Sequence, residues 1–237
     1  MLALNEFKTN ILSFKCQLPV STLNSESLEV QKVHKFLGIW IDSTLKFSTH
    51  IGETAKRVAR GCYAVRIVAC ELGARMARDV YYALVESHLR YGICFWGSCS
   101  ETLFQSLFLL QKRAVRFMCG LSRRQSCRPF FRSHKILTLA SLFILETGCL
   151  IHSKYNADIA AHNPNNTRSS HIVPLPIPRS TLTKNSLIYS SLKIFNHLPS
   201  SIRKINCKNK FKRELKRLLL GKAYYSLVEY LEDNFES

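Results

Sequence analysis

A chain of 237 residues, 46% of them hydrophobic, is long enough to bury a sizeable core and too apolar to be disordered throughout. Its 34 lysines and arginines against 16 aspartates and glutamates leave a formal net charge of +18, which favours a polyanionic partner over a small-molecule substrate. The most apolar run, residues 136–151, is broken by Glu146 and falls short of the roughly 20 residues that span a bilayer, so no membrane partner is expected.

From the N-terminus, residues 10–15 and 33–41 are short runs of β-branched and aromatic residues separated by a polar stretch. They predict two or three strands in one small sheet. From about Leu45 the period becomes helical: Ile51, Ala55, Val58, Ala59, Cys62, Val65, Ile67 and Val68 recur up to Gly73. A second helix follows from about Arg75 to Tyr91. Its inner stripe is read as Met76, Val80, Leu84, His88 and Tyr91, and its outer face as Arg75, Arg78, Glu86 and Arg90.

Ser100 is placed to cap a third helix that ends near Cys119, with Gly120 as its stop. Leu103, Leu107, Leu110, Ala114 and Met118 form its apolar stripe. Gln105, Lys112 and Arg116 share another face, with Arg113 beside them. A fourth helix covers about 138–154. An Asn-, Ser- and Pro-rich stretch precedes helical segments at about 183–196, 199–204, 208–220 and 226–231. Phe211, Leu215, Leu218 and Leu219 face inward on the segment from Lys208. The acidic end, with Glu229, Glu232, Asp233 and Glu236, is placed to fold back on that basic helix.

The charge is unevenly distributed. No acid falls between Glu101 and Glu146, a gap that holds Lys112, Arg113, Arg116, Arg123, Arg124, Arg128, Arg132 and Lys135. A second acid-free run, from Asp158 to Glu214, holds ten more basic residues. One-signed blocks repel themselves, and release of condensed counterions from a nucleic acid rewards such an arrangement. A single basic stripe is usually only a wet face. The loop SRRQSCR adds three cations, Arg123, Arg124 and Arg128, directly after the helix and favours phosphate contacts.

Catalytic chemistry is not legible. Two-metal phosphoryl transfer needs clustered carboxylates, but the four aspartates, Asp42, Asp79, Asp158 and Asp233, are far apart in the chain. The nine cysteines include no CxxC pair, so no metal site is assigned, and a reducing intracellular compartment, cytoplasmic or nuclear, is expected. Cys70, Cys94 and Cys149 lie in apolar segments and read as small core residues. Cys149, His134 and His152 are close in sequence on an apolar segment, where packing is the better account.

Several motifs recur in a fixed order. LALNEFKTNILSF carries Asn5, Lys8, Thr9 and Phe14. KFLGIWID carries Phe36, Leu37, Gly38 and Asp42. DVYYALVESHLRYGICFWG carries Tyr91, Gly92 and Trp96, and LQKRAVRFMCG carries Leu110, Gln111, Ala114, Arg116 and Gly120. KNSLIYSSLKIFNHLP, FKRELKRLLL and YYSLVEYL close the chain. This series resembles the reverse transcriptases of non-LTR (LINE-like) retrotransposons over nearly the whole length. The first segment looks like the one that follows the catalytic aspartate hairpin of the palm, and the second like the primer grip. The third and fourth look like the thumb.

The resemblance implies a mainly α fold: a helical thumb-like bundle with a small antiparallel β element at the N-terminus and a helical C-terminal appendage. Residues 1–44 would be a palm remnant, 45–155 the thumb-like bundle, and 156–237 a linker and basic C-terminal region. Lys8 would lie near the incoming nucleotide, and Phe36, Leu37 and Gly38 would brace the primer end. Lys112, Arg113, Arg116, Arg123, Arg124 and Arg128 would contact RNA or an RNA–DNA hybrid. No catalytic residue and no cofactor are assigned to this chain. Mg2+ is expected only with the palm aspartates upstream, which a truncated RNA-directed DNA polymerase would lack and a separate polymerase region would supply. The alternative is a domesticated helical protein-interaction module without enzymatic activity.

Overall fold

The computed structural model describes residues 11–14, 30–162, 173–177 and 186–235, with the side chains of 30 and 155–162 left aside. Lys8 lies outside the described residues. The chain is mainly helical, with a small antiparallel hairpin near the N-terminus. In that hairpin β3 (Val33–Phe36) pairs with β4 (Ile39–Asp42), and Phe36 stands opposite Ile39. The connecting pair, Leu37 and Gly38, has φ of 46° and 82°. Positive φ at both turn residues matches the strand twist of a two-residue hairpin, although it costs Leu37 about 1 kcal/mol. The expected single sheet is in fact two. β1 (Ile11–Leu12) pairs parallel with β2 (Val30–Gln31), and the long connection between them meets the demand of parallel pairing for a crossover of a dozen or more residues.

Asp42 joins the hairpin to the helices. Its carboxylate accepts the backbone N–H groups of Thr44 (3.0 Å), Lys46 (3.2 Å) and Phe47 (2.7 Å), together with the Thr44 hydroxyl. Burial raises its pKa, but the Thr44 hydroxyl and these amides outweigh that and hold the carboxyl below its usual value. The Asp that ends the KFLGIWID motif is therefore an anchor for the chain's entry into α1.

Helix α1 (Ser48–Tyr81) breaks at Gly73, where φ is 81° and ψ 174°. It continues through a π-helical turn, Tyr82–Glu86, into α2 (Ser87–Arg90) and, past Gly92, α3 (Ile93–Trp96). In the second half the expected inner stripe is one residue out of phase. Ala77, Tyr81, Val85 and Leu89 are buried, whereas Met76, Leu84 and Tyr91 are exposed. Met76 and Leu84 outweigh Ala77 in hydrophobicity, which misleads the reading of the phase. Glu86, read as an outer residue, is also buried. Desolvation raises its carboxyl despite Arg90, which sits 3.5 Å from Glu86 and 3.4 Å from Glu146.

Helix α4 (Glu101–Cys119) has the expected limits, with Gly120 in the left-handed region. Ser100 stands at the N-cap position, but its side chain caps no amide and pairs instead with the Thr102 hydroxyl at 3.1 Å. The buried face of α4 is broader than the predicted stripe and adds Phe104, Phe108, Gln111 and Val115. Gln111 is fully buried, and its amide donates to the Tyr81 hydroxyl (2.8 Å) and the Leu137 carbonyl (2.9 Å). It thus ties α4 to the second half of α1 and to the entry of α6. Gln111→Leu keeps the volume but leaves both partners unpaired in the core. It is expected to lower stability by about 2–3 kcal/mol; a urea midpoint equal to that of the parent chain would count against this role.

Past the short α5 (Arg128–Ser133), α6 (Leu139–His162) is apolar around its circumference, as a central helix must be. Helices α7 (Leu187–His197) and α9 (Lys208–Lys222) pack on it, with α8 (Ser200–Arg203) between them and α10 (Leu227–Glu232) last. Leu192, Phe195, Phe211, Leu215, Leu219 and Tyr230 join the same core as Ile51, Trp96 and Phe143. No described helix is long and apolar enough to cross a membrane.

Candidate nucleic-acid interface

The C-terminal end of α4 and the loop behind it carry the six basic residues expected to meet phosphate, and their surroundings divide them into two groups. Arg113 is exposed, with its guanidinium 5.4 Å from the Phe117 ring centroid. Arg123 and Arg124 are exposed at the centre of a turn closed by the Gln125 amide on the Ser122 carbonyl, 3.3 Å apart. Arg116 is half-buried and donates to the Gln125 carbonyl at 3.4 Å, so it holds the loop that presents the two arginines. None of Arg113, Arg123 and Arg124 has a carboxylate partner among the described residues.

Lys112 and Arg128 face the other way, toward the C-terminal segment. Arg128 makes a two-pronged contact with Glu229, at 2.7 and 3.0 Å, and stands 4.3 Å over the Tyr225 ring. Lys112 lies over Phe108 (4.7 Å) and Tyr225 (5.4 Å), and burial, with Arg116 nearby, lowers its pKa. The segment is fixed from several sides. Gln105 donates to the Tyr225 carbonyl at 3.4 Å, Arg132 to the Lys222 carbonyl at 3.0 Å, and the Thr138 hydroxyl to the Tyr224 carbonyl. Ser226 caps the Glu229 amide at 3.1 Å, while Glu229 accepts the Tyr225 N–H at 2.8 Å. The acidic end therefore does fold back, in two directions. Asp233 meets Lys222 of the basic helix at 2.9 Å, and Glu229 reaches α5 instead.

Sequence reading missed one further cation, Arg66. It is exposed on the first half of α1, with its guanidinium 6.0 Å from the same Phe117 ring that Arg113 covers. Nothing in the linear order links the two arginines; packing of α1 on α4 brings them together.

A second group gathers at the hairpin tip. Phe36 and Leu37 are 59% and 73% exposed, so the tip offers an apolar edge rather than a packed turn. The Tyr91 hydroxyl donates to the Leu37 carbonyl, and the Trp96 indole donates to the Tyr91 carbonyl at 2.9 Å. Gly92 lies directly under Ile39 of β4. The FLG turn and the Tyr-Gly…Trp segment, distant in sequence, thus form one junction between hairpin and bundle.

The carboxylates, histidines and cysteines are mostly occupied structurally. Asp42 caps the chain entering α1, and Asp233 accepts from Lys222 and Tyr224. Among the described residues no three His, Cys, Asp or Glu side chains gather to hold a metal ion. His152 is stacked on Phe211 at 4.1 Å and bonded to the Ile205 carbonyl at 2.6 Å, the packing role expected for it. The neighbour of His134 is Cys119, 3.9 Å away, and not Cys149.

All eight described cysteines are free thiols. Burial pushes Cys62 and Cys94 up to about 11 and Cys99 up to about 12, and it also raises Cys119 and Cys149, so these thiols stay protonated at neutral pH. Cys207 goes the other way: exposed at the start of α9, its thiol is lowered by the Lys210 and Asn209 amides. Cys70, read from the sequence as a core residue, is exposed.

No protein-family model, no curated protein and no solved structure matches this chain.

Proposed function

We propose that this chain is the end of the palm, the thumb and the C-terminal region of a non-LTR retrotransposon reverse transcriptase, and that it binds RNA or an RNA–DNA hybrid without sequence preference. The observation that carries the binding reading is the contrast within the basic region. Arg113, Arg123 and Arg124 project from one helix end and its loop with no carboxylate partner among the described residues, while the nearby Arg128 is neutralised by Glu229. Exposed cations on a rigid helix end favour the regularly spaced charge of a phosphate backbone. The polymerase reading draws support from the junction at Tyr91. There the segment that resembles the primer grip and the one that resembles the thumb signature share a hydrogen bond. Polymerisation itself, with its Mg2+, is assigned to palm aspartates other than the four of this chain.

The test is fluorescence anisotropy with two labelled RNA–DNA hybrids of unrelated sequence. Both are expected to bind at physiological salt with one affinity, in the range of about 10⁻⁴ to 10⁻⁶ M usual for non-specific contacts. Absence of binding to either, or a strong preference for one sequence, would refute the reading.

A further inference from the structure

Arg66 comes from α1 and Arg113 from α4, and both guanidinium groups stand over the ring of Phe117, at 6.0 and 5.4 Å from its centroid. Phe117 is half-buried and packed against the core, which makes it a fixed support. Both arginines are exposed, and neither meets a carboxylate among the described residues. Two like charges gathered at one ring repel each other. Phe117 offers each of them a cation–π contact but no neutralisation. Tyr63, 64% exposed and one turn before Arg66 on α1, adds a second flat group beside them.

We infer that Arg66, Arg113 and Phe117, flanked by Tyr63, form a subsite for unpaired nucleotides of a single-stranded RNA or DNA segment. The inference rests on the nucleic-acid reading above and adds a choice of strand state to it. An exposed guanidinium 5.4 or 6.0 Å from an aromatic ring centroid keeps its own planar surface open to solvent. That plane can stack on a nucleobase, and the N–H edge remains available to phosphate. Bases inside a duplex present no free face, so this subsite discriminates in favour of single strands, whereas Arg123 and Arg124 on their loop tip meet phosphates of either form.

The experiment compares binding of a labelled single-stranded RNA, about 15 nucleotides long, with that of a duplex RNA of the same length. It uses the parent chain, the double variant Arg66→Lys/Arg113→Lys, and Phe117→Leu. Lysine keeps the charge and loses the plane; leucine keeps both arginines and removes the ring they share. Each variant is expected to lower the ratio of single-strand to duplex affinity by about tenfold, the size of one lost stacking contact.

A ratio that stays at the parent value in both variants, while both RNAs still bind, overturns the subsite and leaves the phosphate reading standing. Failure of the parent chain to bind either RNA overturns both. A polyglutamate peptide of equal length that binds as tightly as the single strand also overturns the subsite, because it marks the cations as a docking face for an acidic protein.

Discussion

Gly61→Ala is expected to destabilise the fold by about 2–3 kcal/mol, although alanine is the better helix former. Gly61 lies on the buried face of α1, against the π-helical turn that follows the helix and folds back onto it. A Cβ there would stand 2.6 Å from the Leu84 carbonyl oxygen and 3.0 Å from Val85 Cγ2. The oxygen belongs to the π-helical turn and cannot rotate away as a side-chain end would, so the two segments must separate. Gly52 on the same helix is exposed, and an added Cβ meets nothing within 4 Å. Gly52→Ala is therefore expected to raise stability by about 0.5–1 kcal/mol. Urea unfolding of the pair gives the test through the opposite signs. If Gly61→Ala were as stable as the parent chain, the close approach of the π-helical turn to α1 would be wrong.

The largest functional effect is expected from Arg113→Ala/Arg123→Ala/Arg124→Ala. Each phosphate contact releases about 0.9 of a counterion, worth roughly a factor of 5 at physiological salt, so three contacts amount to about a hundredfold in affinity. All three side chains are exposed, and the thermal midpoint should hardly move. Arg128→Ala should behave in the reverse manner. Its guanidinium is engaged with Glu229 and Tyr225, so its loss is expected to cost about 1 kcal/mol of stability and little affinity. Anisotropy titration paired with thermal unfolding separates the two classes. A larger affinity loss from Arg128→Ala than from the triple change would reverse the division of the basic region.

The elements themselves were largely legible. Local signals sufficed for α4, where Gly120 closes a long amphipathic run, and for α9, where Phe211, Leu215 and Leu219 repeat at helical spacing. The phase of the segment after Gly73 was not legible. There the buried face runs through Ala77 and Tyr81 and includes a charged residue, Glu86, while Met76 and Leu84 face outward. The π-helical turn and the close approach at Gly61 select that phase, and neither has a sequence signature.

At the site, the basic character of residues 112–128 could be read directly, but the division within it could not. Arg128 is separated from its partner Glu229 by 101 positions, and the helix that carries Glu229 is placed by Tyr230, buried at the far end against the Ile194 carbonyl. Arg66 escaped notice for the same reason, since its neighbour Arg113 belongs to another helix.

The most direct measurement of the central claim is the affinity of the chain for an RNA–DNA hybrid as a function of salt, from about 50 to 200 mM. If Arg113, Arg123 and Arg124 meet phosphates, the logarithm of the association constant falls linearly with the logarithm of the salt concentration, with a slope of about −2.7 or steeper. The triple alanine change flattens that slope by about the same amount. An affinity that stays level across this range, or a slope that the triple change leaves in place, would contradict nucleic-acid binding through this face.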